Sequence, residues 1–219
     1  MLTYDQVTKS DAIKTYITRA DESLAALGFT EHSFAHVCYV AQKVGYILTV
    51  LGYDDRTVEL GKIAGYLHDI GNLVNRKEHS QSGAVMAWSI LNDMKCDPAE
   101  MATIVTAIGN HDEGTGVPVN AVAAALILAD KADVRRSRVR NQDFSNFDIH
   151  DRVNYSVKKS ELIIDDDLSK VTLTLSIDNE FGSVMDYFEI FMGRMLLCRK
   201  AAERLGLKFK LIINDQPLI

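Results

Sequence analysis

A mainly α-helical bundle carrying a C-terminal β-β-α-β appendage is the fold class that the sequence predicts. Three observations lead there. Between Asp11 and about residue 140 apolar residues recur at helical spacing, and only three prolines interrupt the whole chain. After residue 140 the pattern changes: Val171, Leu173, Leu175 and Ile177 alternate with polar residues, as on a half-buried strand. A long helical run then separates that strand from the apolar segment LKFKLIIN. Two parts are expected, a bundle over 1–140 and the appendage over 141–219, packed on one core.

Each element has its own signal. A first helix runs from about Ala12 to Leu27 and stops at Gly28, a residue suited to a left-handed end. Thr30 is placed to cap a second, Glu31 to Leu51, closed by Gly52. Asp54 or Asp55 opens a third, with Leu60, Ile63, Ala64 and Leu67 on one side, that finishes in His68-Asp69-Ile70-Gly71. Ser80 to Met94 is the fourth. The fifth has the clearest start, with Asp97 as cap, Pro98 first and Glu100 three residues after the cap. The sixth, Ala121 to about Arg135, is apolar almost all round and belongs at the centre of the bundle. Beyond it, NQDFSNFD reads as a loop and His150 to Val157 as a short helix. ELIID and KVTLTLSID read as strands around the turn DDLS, followed by a helix from Ser183 to Leu205 before Gly206 and a last strand, LKFKLIIN.

Bulk properties narrow the function. A hydrophobic share of 47% and a charged share of 25% are those of an ordinary globular protein, long enough here for one large core. The formal net charge of −6 opposes bulk binding to nucleic acid, though a local arginine cluster could still hold a small phosphorylated molecule. Cys38, Cys96 and Cys198 are odd in number and form no CxxC knuckle, which favours a reducing compartment. The start, MLTYDQVTKSDAIK, lacks the basic and apolar regions of a signal peptide, and no apolar run reaches membrane-spanning length. The reading is a cytoplasmic protein without a membrane partner; self-association is left open.

The chemistry lies in the histidines. His32 and His36 are four apart and expected on one face of the second helix. His68 and Asp69 end the third helix, His79 opens the fourth, His111 ends the fifth, and Asp130 lies late in the sixth. The run AVAAALILAD draws the Asp130 carboxylate into a packed bundle, where it must be protonated, paired or bound to metal. Taken singly, each has a plain reading: His32 and His79 as surface residues, His150 as structural or exposed, Asp130 paired with Lys131 or an arginine. Together, the simplest solution is that the helices converge and share metal. Imidazole nitrogen with carboxylate oxygen suits iron, manganese, nickel or zinc.

The order His36, then His68-Asp69, then Asp130 resembles the signature of the HD-domain superfamily of metal-dependent phosphohydrolases. The strings HSFAHVCYVA, GYLHDIGN and ALILADKADVRR resemble its first, central and last motifs, so the resemblance covers about residues 30 to 140. KEHSQSGAVMA resembles a segment found in two-metal members, and AIGNHDEGTGVP resembles one found in the cyclic-dinucleotide phosphodiesterases called HD-GYP. The resemblance implies two divalent ions, the first on His36, His68, Asp69 and Asp130, the second on His79 and His111 with Asp69 bridging. Asn110, Val117 and Asn72 depart from the HD-GYP pattern, which argues against a cyclic dinucleotide.

That family likeness implies hydrolysis of a phosphate ester or anhydride, a nucleotide being the leading substrate, by a hydroxide bridged between metals whose bound water has its pKa lowered to ~7. His68 and Asp69 form the catalytic centre, with Asp112 as proton shuttle and Glu113 as a supporting partner. Lys131, Arg135, Arg136, Arg138 and Arg140 follow Asp130 directly and suit phosphate. Lys131, Arg135 and Arg136 are the expected substrate contacts, Arg135 foremost. Asp133 is placed to orient a ligand or an arginine. Two other functions share this fold: a di-iron oxygenase of HD type, and a non-catalytic nucleotide-binding module.

Overall fold

The computed structural model describes residues 1–141 and 143–219, and its elements follow the expected order with a few shifts. A short helix α1 (Tyr4–Lys9) precedes α2 (Asp11–Ala26); its start is marked by a capping box between Thr3 and Gln6, and Ser10 caps the second. The pairing of Thr3 with a residue three further on was legible in the sequence but lay before the region read as helical. Gly28 follows α2 with φ +80°, as its position at a helix end predicts.

Next come α3 (Phe34–Val50) and α4 (Asp55–Leu67), the latter capped by Asp54. The expected start of α3 at Glu31 is corrected: Ser33, not Thr30, caps it. His32 therefore lies before the helix and does not share a helical face with His36; its Nδ1 meets the Thr30 carbonyl at 2.7 Å. One turn of 3₁₀ helix (Ile70–Leu73) leads to α5 (His79–Asp93), then α6 (Pro98–Gly109) and α7 (Ala121–Lys131). Asp97 caps α6 as expected, but Glu100 does not return to the cap; its carboxylate takes a two-pronged bond from Arg56, at 2.6 and 2.5 Å. The sixth helix stops at Lys131 rather than near Arg135, because the backbone turns at Ala132 and carries Asp133 inward.

In the C-terminal part, α8 (Ile149–Ser156) runs directly into β1 (Val157–Ile164), which is longer than ELIID alone. Then follow β2 (Lys170–Ile177), α9 (Val184–Arg204), β3 (Lys208–Ile213) and a two-residue β4 (Gln216–Pro217) that the sequence did not announce. The loop read in NQDFSNFD contains a single turn, Phe144–Asn146, and its Gln142 lies outside the described residues. The sheet order is β1-β2-β3-β4. β1 and β2 are antiparallel, with Leu162 opposite Leu173; β2 and β3 are parallel, with Leu173 opposite Leu211. That parallel pair needs a crossover, and α9 supplies it.

The core explains the arrangement. Val122 to Ala129 of α7 are buried on every side, since the helix packs against α3, α4, α6 and α9 together. Each fully buried Leu or Ile there contributes about 1.5–3 kcal/mol of transfer free energy. The same apolar cluster continues through Tyr187, Phe191 and Cys198 of α9 to Val171 and Leu173 of β2. All three cysteines are free thiols. Among the described residues, no helix is long and apolar enough to cross a membrane.

Two glycines set how closely the bundle closes around His68 and Asp69. At Gly65 a Cβ would come 2.8 Å from the Ala41 Cα, so α3 and α4 touch backbone to backbone. At Gly71 a Cβ would come 2.0 Å from the His79 carbonyl oxygen and 2.4 Å from the Gly83 nitrogen, both main chain and unable to rotate away. Gly71 thereby lets the turn after Asp69 lie on the first turn of α5. Gly71→Ala should destabilise the fold by about 3 kcal/mol or more, measured as a lowered urea midpoint. An unchanged midpoint would show that this contact is looser than the geometry states.

Candidate metal centre

Six side chains meet at one end of the bundle. His36 comes from the first turn of α3, and His68 and Asp69 from the end of α4. His79 opens α5, His111 follows the end of α6, and Asp130 stands in the last turn of α7. His36, His68, Asp69, His79 and His111 are all at most 5% exposed. The surface reading of His79 is thereby corrected, whereas His150 is exposed as the plain reading has it.

Hydrogen bonds on the far side of each ring decide its tautomer. The Nδ1 atoms of His68, His79 and His111 face the carbonyls of Gly65, Arg76 and Ile108 at 2.8, 3.0 and 2.7 Å. A carbonyl only accepts, so each Nδ1 carries a proton and donates it. The Nδ1 of His36 donates to Asp133 Oδ2 at 2.7 Å. All four rings then present Nε2 to the centre, where His36 and His68 stand 3.2 Å apart and His79 and His111 3.1 Å apart. Neutral rings in this tautomer would oppose lone pair to lone pair. The carboxylates add further acceptors. Asp69 Oδ2 lies 3.4 and 3.3 Å from the His36 and His68 Nε2, while its Oδ1 lies 3.3 and 3.9 Å from those of His79 and His111. Asp130 Oδ1 lies 3.4 and 3.7 Å from the His36 and His68 nitrogens. So many acceptors at hydrogen-bond distance require cations among them, protons or metal.

Donor atoms of His36, His68 and Asp130 lie within 4.8 Å of one another, as do those of His68, Asp69 and His111. The donor set fits an HD-type metal site. No family model matches the chain. An uncharacterized protein of Methanocaldococcus jannaschii is 25% identical over 203 residues, spanning 82% of this chain and 77% of that one. A crystal structure described as a predicted HD superfamily hydrolase, from an uncultured Thermotogales bacterium, is similar over 57% of this chain and 67% of its own, with 23% identity and a TM-score of 0.45. Likeness at that level carries no residue role across, and the reading of the site rests on this chain's own donors.

Supporting groups hold those donors in place. Asp133 is fully buried and accepts from His36, from Arg135 at 2.5 and 3.0 Å, and pairs with Arg138. It thus orients both the His36 ring and an arginine. Asn72 donates to Asp69 Oδ1 at 3.0 Å and accepts from Arg76. Lys131 lies buried between Glu113 and Asp130, at 2.7 and 2.8 Å. The Asp130–Lys131 pair of the plain reading is thus present on Oδ2, and Oδ1 stays turned to the imidazoles.

A cavity of about 460 Å³ opens over Asp69, His79 and Asp130. Of the expected substrate contacts only Lys131 lines it. Arg135 is turned away, gripping Asp133 and lying over the Tyr39 ring. Arg136 is also turned away, bonded to the Tyr155 carbonyl and stacked on that ring. Once α7 ends at Lys131, residues 135 and 136 no longer continue its site-facing side. Arg76, Arg138 and Arg194 line the cavity in their place. Arg138 was within the expected basic run; Arg76 and Arg194 carried no sequence signal of their own. Asp112 flanks the inner side of His79, its Oδ1 4.0 Å from His79 Nε2 and its Oδ2 accepting from the Gly114 nitrogen.

The protonation balance follows from burial against charge. Burial opposes charge on His68, but Asp69 and Asp130 outweigh it and raise the pKa to about 10. His36 is raised as well, burial and Arg138 being outweighed by Asp130, Asp133 and Asp69. Burial holds His79 and His111 below the ordinary 6.5. Burial would raise Asp69 and Asp130, yet His68 beside the first and Lys131 beside the second keep them well below the usual carboxylate range. A raised histidine stabilises the metal-free fold fully below pH 6.5, and its contribution is lost as pH rises through about 10. The two carboxylates contribute throughout that window and lose their effect only at acid pH. Metal-free protein should therefore lose urea stability from neutral pH towards pH 10. Manganese or zinc titrated in at pH 7 should release at least one proton, seen as a dependence of calorimetric heat on buffer ionisation enthalpy. Binding with no proton release would mean that His68 is not a ligand.

Proposed function

We propose that this chain is a metal-dependent phosphohydrolase acting on a phosphate ester or anhydride of a small molecule, with a nucleotide as the leading class. The observation that carries the reading is the convergence of four Nε2 lone pairs and two carboxylates on one buried point. Asp69 faces the His36–His68 pair with one oxygen and the His79–His111 pair with the other, which suits a carboxylate bridging two divalent ions. The first ion would take His36, His68, Asp69 and Asp130, and the second His79, His111 and Asp69. Nitrogen and oxygen donors without thiolate admit iron, manganese, nickel or zinc. When bound, such ions supply Lewis acidity that lowers the pKa of coordinated water to ~7 and neutralises phosphoryl oxygens.

The chain's own residues do the rest. Asp133 keeps the His36 proton on Nδ1, leaving Nε2 as a donor to metal. Asn72 fixes the Asp69 carboxylate. Lys131 holds one Asp130 oxygen so that the other faces the imidazoles. Arg76, Lys131, Arg138 and Arg194 make the cavity attractive to phosphate, and Leu27 and Phe29 offer apolar surface to the rest of the substrate. Asp112 is not among the residues lining the cavity, but its Oδ1 stands 4.0 Å from His79 Nε2, on the inner side of that ring, which suits the expected proton shuttle.

Metal analysis of protein purified without chelators, coupled to phosphate release from a nucleotide panel, tests the reading. Asp69→Ala and His68→Ala should each lose metal and hydrolysis together. Asp133→Asn should weaken metal affinity by roughly 10–100-fold while the fold persists. Turnover retained in Asp69→Ala would remove the metal-centred mechanism.

A further inference from the structure

We propose that the cavity selects a terminal phosphoryl group, as in a phosphate monoester or the outer phosphate of an anhydride, and that Arg194 is the side chain that makes the selection. This rests on the phosphohydrolase reading above and names its substrate class. Arg194 comes from α9, far in sequence from every metal donor. Its Nε donates to Glu113 Oε1 at 2.9 Å, and its guanidinium lies over the Phe191 ring, 4.3 Å from the centroid. The other oxygen of Glu113 holds Lys131, which in turn holds Asp130. Three linked ion pairs and a stacked ring thus fix the guanidinium relative to the metal donors. Its two terminal amino groups make no hydrogen bond to any described residue, and the side chain lines the cavity. A fork held in this way loses little freedom when it grips an oxyanion.

Arg194 does not stand alone. Arg76 spends one amino group on Asn72, and Arg138 spends Nε and one amino group on the carbonyls of Glu31 and Asp133. Each keeps donor capacity and lines the cavity, so three arginines from three separate stretches of chain surround a floor that already suits two divalent ions. The oxygens of the substrate decide what such a site prefers. A diester offers two non-bridging oxygens and one negative charge, and a two-metal floor can occupy both oxygens. A monoester offers three and, at neutral pH, a second charge, leaving an oxygen for the Arg194 fork. A diester would leave the partly desolvated fork without an acceptor, which is unfavourable. Selection against diesters is therefore built into the surplus of fixed donors beyond the metals.

The test uses the full chain loaded with manganese, as wild type, Arg194→Gln and Arg194→Lys. Inorganic phosphate and dimethyl phosphate are titrated by calorimetry, and 4-nitrophenyl phosphate and bis(4-nitrophenyl) phosphate are assayed in parallel. Wild type should bind phosphate at least about tenfold more tightly than dimethyl phosphate and should hydrolyse the monoester faster. Arg194→Gln should weaken phosphate binding by roughly 10–100-fold and raise the monoester KM. Dimethyl phosphate binding and metal content should stay unchanged, Tm should fall modestly through loss of the Glu113 pair, and Arg194→Lys should recover part of the loss. Equal weakening of both anions, no weakening, or a preference for the diester would overturn the proposal. Should neither ester be cleaved while phosphate binding still depends on Arg194, the hydrolase reading fails and the phosphate subsite stands. If Arg194→Gln does not fold, Arg194→Lys, which keeps the charge beside Glu113 but not the fork, supplies the same comparison of the two anions, and equal effects on both would count against selection.

Discussion

Acceptor atoms crowded without donors form the constraint on which this molecule turns. Four imidazoles are held by their outer nitrogens, so their inner nitrogens can only accept or bind a cation, and two carboxylates share the same buried space. Such a cluster is strongly unfavourable unless positive charge sits in it. In the metal-free protein protons serve, with the high pKa of His68 as their mark. A divalent ion would supply more charge and better directionality, and it would find its ligands already oriented.

The scaffold is arranged around that requirement. The helices of the bundle bring their ends, not their middles, to the site, where the chain can turn and a ring can face a free main-chain carbonyl. His68, His79 and His111 all use a carbonyl three residues earlier in this way. Gly65 and Gly71 permit the close approach of α3, the turn after Asp69 and α5 that this geometry needs. The C-terminal part is joined to the same function through α9, which packs on α7 and delivers Arg194 and Phe191 to the cavity. It completes the wall of the site as well as forming a sheet.

Of the six candidate donors, His68, Asp69 and Asp130 carried a local signal, whereas His36, His79 and His111 were drawn in by the order of the motifs and by family resemblance. Helix-end position, a glycine shortly after, and a carboxylate at the end of an apolar run are all short-range features, and the order of His36, His68-Asp69 and Asp130 is itself a pattern. The basic residues were harder. Arg135 follows Asp130 closely and was the natural choice for phosphate, yet Asp133 captures it. Its capture depends on where α7 ends, and that end is decided by packing of Asp133 against His36 and Arg138 rather than by helix propensity. The same holds for Glu100, which could have closed a capping box but meets Arg56 from α4 instead.

By itself the sequence determined the secondary structure in outline, the central place of α7 and the need for a partner at the Asp130 carboxylate. These follow from periodicity, caps and the high cost of burying a charge, all of which act over a few residues. Tertiary structure alone decided which tautomer each ring adopts, which arginines reach the cavity, and that residue 194 stands beside residue 113. Guanidinium groups reach far on flexible stems, so their partners are selected by neighbours distant in the chain, and no local pattern records that selection.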